Sequence, residues 1–389
     1  MLKKGIISSV LVGCIAVGPG FEISAAAVDT SRQIINNENA IISYVCDAVV
    51  DSRIDYYEIP EISGEIVSIE ETENSYDVLV KVSYNTVIKA ETPDDSPYIQ
   101  GIKQAISELS DPADITKANT YLKIWTAEIA NNHINKEIPH NDQFKLSIPK
   151  AYLTPTTSNQ FALNNSALVN SKLYSRTQKL GAYTEEAAYI DEPMESYGLP
   201  NDSEVKENAY DAVMSIVDRK NLELSYAAGS AKAQELDRIA AAEYGGDKAN
   251  TPNNPKYQHF SSDCANFVSQ CYYEGGVQTD DTWYMYSQHW KFVGGSQGSV
   301  EGLADYMLRM NNVVFWVDGE YESRALAGSI LYYQNQAHVG IITSNDGRNA
   351  TYSAHTNDTV NANISSYHHK NCDYLVPCWD SVTGEWTPQ

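Results

Sequence analysis

The sequence predicts an α+β protein, and three observations predict it. Tyr76, Val78, Val80, Val82, Tyr84, Thr86 and Ile88 fall on even positions, while Asp77, Lys81, Ser83, Asn85 and Lys89 occupy odd ones. That period of two marks a half-buried strand. Ile115, Ala118, Leu122, Trp125 and Ile129 recur instead at helical spacing, as do the apolar residues of 205–217 and 230–244. Far down the chain His338-Val339-Gly340-Ile341-Ile342-Thr343 reads as a strand again, followed by Asp346-Gly347, a strong hairpin signal.

Taken in order, the 389 residues suggest about two or three domains. Residues 1–27 read as a signal peptide: Lys3-Lys4, a short apolar run, then small residues with cleavage expected near Ala26 or Ala27. Leu11-Val12-Gly13-Cys14 also fits a lipoprotein box, which would anchor the chain through Cys14. No later segment has the length and apolarity of a membrane helix, so the mature chain is expected not to be an integral membrane protein.

Residues 28–150 read as a smaller N-terminal α+β domain of unknown role. Gly64 to Glu71 pairs with the alternating strand across a turn at Thr72 to Asn74, and helices follow near Tyr98 to Leu109 and from Asp114. Residues 151–202, rich in Thr, Ser, Asn and Pro, read as a polar linker with one short helix around Glu185 to Tyr189. From 203 to 389 the chain is a second folded domain, with helices at Val205 to Val217 and Ser230 to Tyr244, the latter ended by Gly245-Gly246.

A net charge of −24 disfavours nucleic acid and anionic membranes as partners. Without the leader five cysteines remain: Cys46, Cys264, Cys271, Cys372 and Cys378. An odd number in an exported chain suggests a free thiol. Cys372 and Cys378 could pair with each other, or one of them with Cys271, and the sequence does not choose.

Cys264 is the candidate for that thiol. Ser261, Ser262 or Asp263 can cap a helix that begins there and stops at Gly275-Gly276. The positive end of the helix dipole favours thiolate, the nucleophilic form. Cys271, mid-helix, suits a buried structural role. A nucleophile needs a base, and His338, at the mouth of a strand, is the candidate among eight histidines. If Asp346-Gly347 forms a two-residue turn, His338 stands directly opposite His355 on the same face of the hairpin. His355 then orients the His338 ring as a third member; Asn357 and Asp358 remain rival orienters.

The run Asp263-Cys264-Ala265-Asn266-Phe267-Val268-Ser269-Gln270, preceded by Asn254-Pro255-Lys256-Tyr257-Gln258-His259-Phe260, resembles the putative amidase domain family of exported bacterial proteins. Trp283, Ser287 with Trp290, a helix near Leu303 to Met310, and the strand Ile330-Leu331-Tyr332-Tyr333 before Ala337-His338-Val339 extend the resemblance over about residues 230–389. That family is related to the papain-like and NlpC/P60 cysteine peptidases. The resemblance implies a helix bearing the cysteine packed on an antiparallel sheet, with Cys264 as nucleophile, His338 as base and a polar residue at or near His355 as third member. It further implies acyl transfer through Cys264, whose N–H would serve the oxyanion hole, with the second donor expected within Tyr257 to Ser262. No cofactor or metal is called for. The expected partner is an amide of the cell envelope, such as a peptidoglycan peptide, and the expected location is secreted or wall-associated. The rival function is a noncatalytic wall-binding or adhesion module that keeps the fold.

Two other motifs compete. Gly294-Gly295-Ser296-Gln297-Gly298 fits the serine elbow of α/β-hydrolases, but only three residues, Lys291-Phe292-Val293, could form the strand it needs. His368, His369, Cys372 and Cys378 match no standard zinc spacing.

Overall fold

A computed structural model describes residues 38–155, 161–163, 165–179, 188–218, 235–249, 256–257, 260, 263–286, 289–290, 300–310, 313–335, 338–355 and 359–389. The expected signal peptide, Ser261 and Ser262, the Gly294–Gly298 motif, and Asn357 with Asp358 lie outside the described residues. The protein is α+β, with helices against antiparallel sheets. Its contacts divide it into two units. The first comprises the described residues of Met1–Thr86, Pro139–Gln178 and Tyr189–Gly198; the second those of Val87–Ile138, Lys179–Ala188 and Leu199–Gln389.

The first unit forms around the alternating segment. Helix α1 (Glu38–Arg53) buries Ile41, Val45 and Val49, one side of its surface. Strand β1 (Ile62–Glu71) pairs antiparallel with β2 (Ser75–Ile88), with Ile66 opposite Val80, across the turn the sequence predicts. On β2 the side chains of Tyr76, Val78, Val80, Val82, Tyr84 and Thr86 are all buried and alternate with less buried ones, which is the pattern that a sheet with one covered face imposes. Strand β3 (Ile138–Pro149) continues the sheet, with β4 (Lys172–Lys179) and β5 (Ala188–Pro193) beyond it. These last two strands form in the stretch expected as a polar linker. Strand β4 lies between β3 and the edge strand β5, and Leu173, with Leu168 just before the strand, reaches the core while Lys172 stays exposed.

The second unit contains helices α2 (Pro97–Glu108), α3 (Pro112–Glu128) and α4 (Asp202–Asp218), which share a core of Tyr98, Ile102, Tyr121, Trp125, Val205, Val213 and Ile216. Asp111 caps α3 by accepting from the Ala113 N–H. Of the stretch that the periodicity predicts as helical, residues 230–234 lie outside the described residues; helix α5 (Arg238–Lys248) runs through Gly245-Gly246 rather than ending there. Gly245 is a packing residue: a Cβ on it would come 2.5 Å from Ile341 Cγ2. Helix α6 (Cys264–Glu274) is the central one, with nine consecutive residues buried from Cys264 to Tyr272. It ends where expected, Gly276 taking φ +89.

The sheet beneath has six antiparallel strands: β6 (Val314–Val317), β7 (Ile330–Tyr333), β8 (Val339–Asn345), β9 (Ala350–Ala354), β10 (Thr359–Asn363) and β11 (Cys372–Pro377). Their spatial order is β6-β11-β7-β8-β9-β10. Both faces are covered. Ile330, Tyr332, Val339 and Ile341 join Cys264, Val268 and Cys271 in one core, while Leu331, Tyr333, Ile342, Tyr352 and Ala354 join a second core behind the sheet.

Candidate active site

The hairpin does not close as a two-residue turn. Asn345 pairs with Ala350, so the loop holds four residues, 346–349. The reason is local: the Asp346 carboxylate accepts from the N–H groups of Arg348 and Asn349, both at 2.9 Å, and this Asx-type bonding competes with the tight turn. Gly347 supplies the positive φ, +85. A bulge between Ile342 and Ser344 then shifts the register back by one, so Ile341 faces Ser353 and Ile342 faces Tyr352. Continued to the strand mouth, this register sets Val339, not His338, opposite His355.

A slip of one residue moves a side chain to the other face. His338 therefore shares its face with Ile342 and Tyr352, behind the sheet. Its ring meets Tyr333 edge-on, centroids 5.3 Å apart, and burial lowers its pKa to about 3. The side-by-side histidines expected from the hairpin do not form.

His355 lies on the other face, with Cys264. Its ring stacks on Phe267, one turn along α6 from the cysteine, with centroids 4.1 Å apart and planes 20° apart. Its Nδ1 is 2.6 Å from Oδ2 of Asp263, the residue immediately before Cys264. Since a carboxylate only accepts, Nδ1 carries the proton and donates it. That leaves Nε2 of the neutral ring with a lone pair, 3.5 Å from the carbonyl of Lys248 at the end of α5. A proton added at Nε2 would find that carbonyl as acceptor, and the cation would face the Asp263 carboxylate.

Asp263 stands at the N-cap position of α6, but its side chain does not cap the helix. Oδ1 accepts from the Phe260 N–H at 3.2 Å and from the Asn266 amide at 2.8 Å, and Oδ2 takes His355. Sequence reasoning saw this carboxylate only as a cap; the signal it could have used was an acid adjoining a candidate nucleophile.

Cys264 is the first residue of α6 and is buried. Burial pushes its thiol up to about 11, and the Asp263 charge adds to the rise. Backbone N–H groups of Val339 and Ala265 pull the other way without reversing it. The thiolate favoured by the helix dipole is thus not the resting form, because desolvation outweighs the dipole. Val339 N–H within reach of the sulfur also brings the strand mouth to the nucleophile.

The other cysteines separate from this site. Cys46, Cys271, Cys372 and Cys378 are free thiols, so the disulfides considered for 271, 372 and 378 do not form. His368 lies behind the sheet. It accepts from the Ser365 N–H through Nδ1, which puts its proton on Nε2, directed at the Tyr333 hydroxyl 2.9 Å away. His369 pairs with Glu322. Among the described residues no group of His, Cys, Asp and Glu could hold a metal ion. Nor, among them, is any helix long and apolar enough to cross a membrane.

Comparison with known proteins agrees with the motif around Cys264. The chain is similar to the Uncharacterized protein YhbB of Bacillus subtilis (strain 168), 33% identical over 67 residues. That alignment covers 16% of this chain and spans 21% of the length of YhbB. No solved structure matches the chain. Residues 235–376, which carry Asp263, Cys264, His338 and His355, match the family described as putative amidase domain.

Proposed function

We propose that the protein is an exported cysteine amidase or peptidase of papain-like type, acting on an amide of the cell envelope such as a peptidoglycan peptide. The observation that carries the reading is the bond from His355 to Asp263, the neighbour of a cysteine that opens a buried helix. In this reading His355 takes the thiol proton as the Cys264 sulfur attacks the amide carbonyl. Base and nucleophile act together, since a thiol held near 11 does not ionise by itself at neutral pH. Asp263 holds the ring in the tautomer with the proton on Nδ1 and the lone pair on Nε2, and stabilises the imidazolium. The imidazolium then protonates the departing amine, and water, deprotonated by His355, hydrolyses the thioester and restores the thiol. The Cys264 N–H at the helix tip is the first oxyanion donor. The papain-like architecture is supported by the cysteine helix packed on an antiparallel sheet. Export rests on the leader-like first 27 residues.

A second assignment of the base has its own support. Val339 N–H reaches the Cys264 sulfur, so His338, one residue before it, stands at the same strand mouth. In that version the His338 ring turns from behind the sheet to the face of Cys264, acts as the base, and has His355 as its orienter.

Purified wall sacculi are the test substrate. Incubation with the protein should release peptide fragments whose new carboxyl ends mass spectrometry identifies, and Cys264→Ala should release none. Equal wall binding by both proteins with no new ends from either would instead establish the noncatalytic binding module.

A further inference from the structure

We propose that Asn266 is a positioning residue of the site: it holds Asp263 turned away from its own helix and toward His355. The inference rests on the reading of His355 as the working base. An aspartate at an N-cap position ordinarily turns inward, where its carboxylate accepts the unpaired N–H groups of the first helical turn. Asp263 occupies that position and makes no such bond. Two arrangements therefore compete for one carboxylate: capping α6, or bonding the imidazole.

Asn266 decides between them. It is the third residue of α6, so its side chain can reach back along the helix face to the cap position. Its amide donates to Oδ1 at 2.8 Å, a charge-assisted bond, and the Phe260 N–H shares that oxygen. With Oδ1 engaged, Oδ2 points to His355 Nδ1 at 2.6 Å. Asp263 is 0% exposed and Asn266 3%, so water competes poorly for these bonds. Phe267, next in sequence, fixes the plane of the same ring. The charged group facing His355 from α6 is Asp263; from the end of α5 it meets the Lys248 carbonyl, and the Lys248 side chain is exposed. Within the five residues 263–267, Asp263, Cys264, Asn266 and Phe267 thus supply the orienting acid, the nucleophile, the lock on the acid and the platform for the base.

The test reads His355 directly, through the imidazole proton and nitrogen resonances of isotope-labelled full-length protein at neutral pH. In the wild type the Nδ1 proton held by Asp263 should be visible and slow to exchange, and Asp263→Ala should abolish that signal. Asn266→Ala should weaken it too, with Asp263 still present. Asn266→Met, which fills the space without a donor, should do the same if the alanine variant folds poorly. In hydrolysis, Asn266→Ala should cut kcat about 10-fold with little change in KM. Added to Asp263→Ala it should cost nothing more, since it acts through that residue. An Nδ1–H signal unchanged in both Asn266 variants, or losses that multiply in the double variant, would overturn the proposal. If the signal weakens as expected while the wild-type protein hydrolyses no amide, the positioning role stands and the amidase reading falls.

Discussion

Among single residues, the form in which Cys264 waits decides how the chemistry must begin. Burial raises its thiol to about 11, so it should react slowly with iodoacetamide at pH 7, below the rate of free cysteine, and accelerate as pH rises beyond 9. Alkylation rates measured by mass spectrometry across pH 6–10 check this. A plateau of fast reaction already below pH 8 would show a thiolate stabilised at rest and remove the need for a base. Cys264 itself was legible in the sequence, because a polar run before an apolar-periodic segment marks a helix start. Asp263 was legible as a residue and not as a role: its choice between capping α6 and bonding His355 depends on a strand that arrives 92 residues later.

At the level of elements, alternation and helical spacing located β2, α2, α3 and α4 well, since each has one face covered, while β8 and α6, buried nearly all round, were legible from an apolar run and from the polar start and glycine stop. Register was not legible. Asp346-Gly347 is the strongest two-residue turn signal available, yet the Asp346 side chain bonds Arg348 and Asn349 and lengthens the loop. One further bulge then sends His338 and His355 to opposite faces. The loop is tightly specified: Gly347 has φ +85, and a Cβ there would come 2.3 Å from the Tyr98 ring. Gly347→Ala should cost roughly 1–3 kcal/mol in backbone strain alone, measured by urea unfolding, with the clash adding to it. The core behind the sheet carries a second expectation. Burial lowers the pKa of His338 to about 3; His368 falls to about 3 by burial, with His369 and His338 adding. Below pH 6.5 the unfolded chain binds protons that the native state refuses, so their stabilisation is present above pH 6.5 and is lost as pH falls toward 3. Urea midpoints should decline between pH 7 and pH 4, and His368→Gln should flatten that slope. A midpoint independent of pH over this range would contradict the burial of both rings.

At the scale of the molecule, one buried ion cluster binds the segments of the second unit. Arg238, at the start of α5, pairs with Glu128 of α3 at 2.7 Å and with Asp380 near the C-terminus at 2.5 Å, all three fully buried. Burial raises the Glu128 carboxyl, but Arg238 and His133 outweigh it and hold the group at about 2. Both carboxylates lie outside residues 235–376, so the family domain excised alone would bury an unpaired guanidinium. Removing one partner from such a cluster costs about 3–5 kcal/mol. Glu128→Leu should lose that much in urea unfolding, and the isolated segment 235–376 should show no cooperative transition by circular dichroism. Helix periodicity announces α3 but not this role, because a lone glutamate in an amphipathic pattern reads as a surface charge. The central claim, that His355 held by Asp263 is the base for Cys264, is tested most directly by kcat on wall peptide for His355→Ala and His338→Phe, both verified as folded. The account predicts loss of activity by at least about 10³-fold for His355→Ala and retention within about 10-fold for His338→Phe; the reverse order would contradict it.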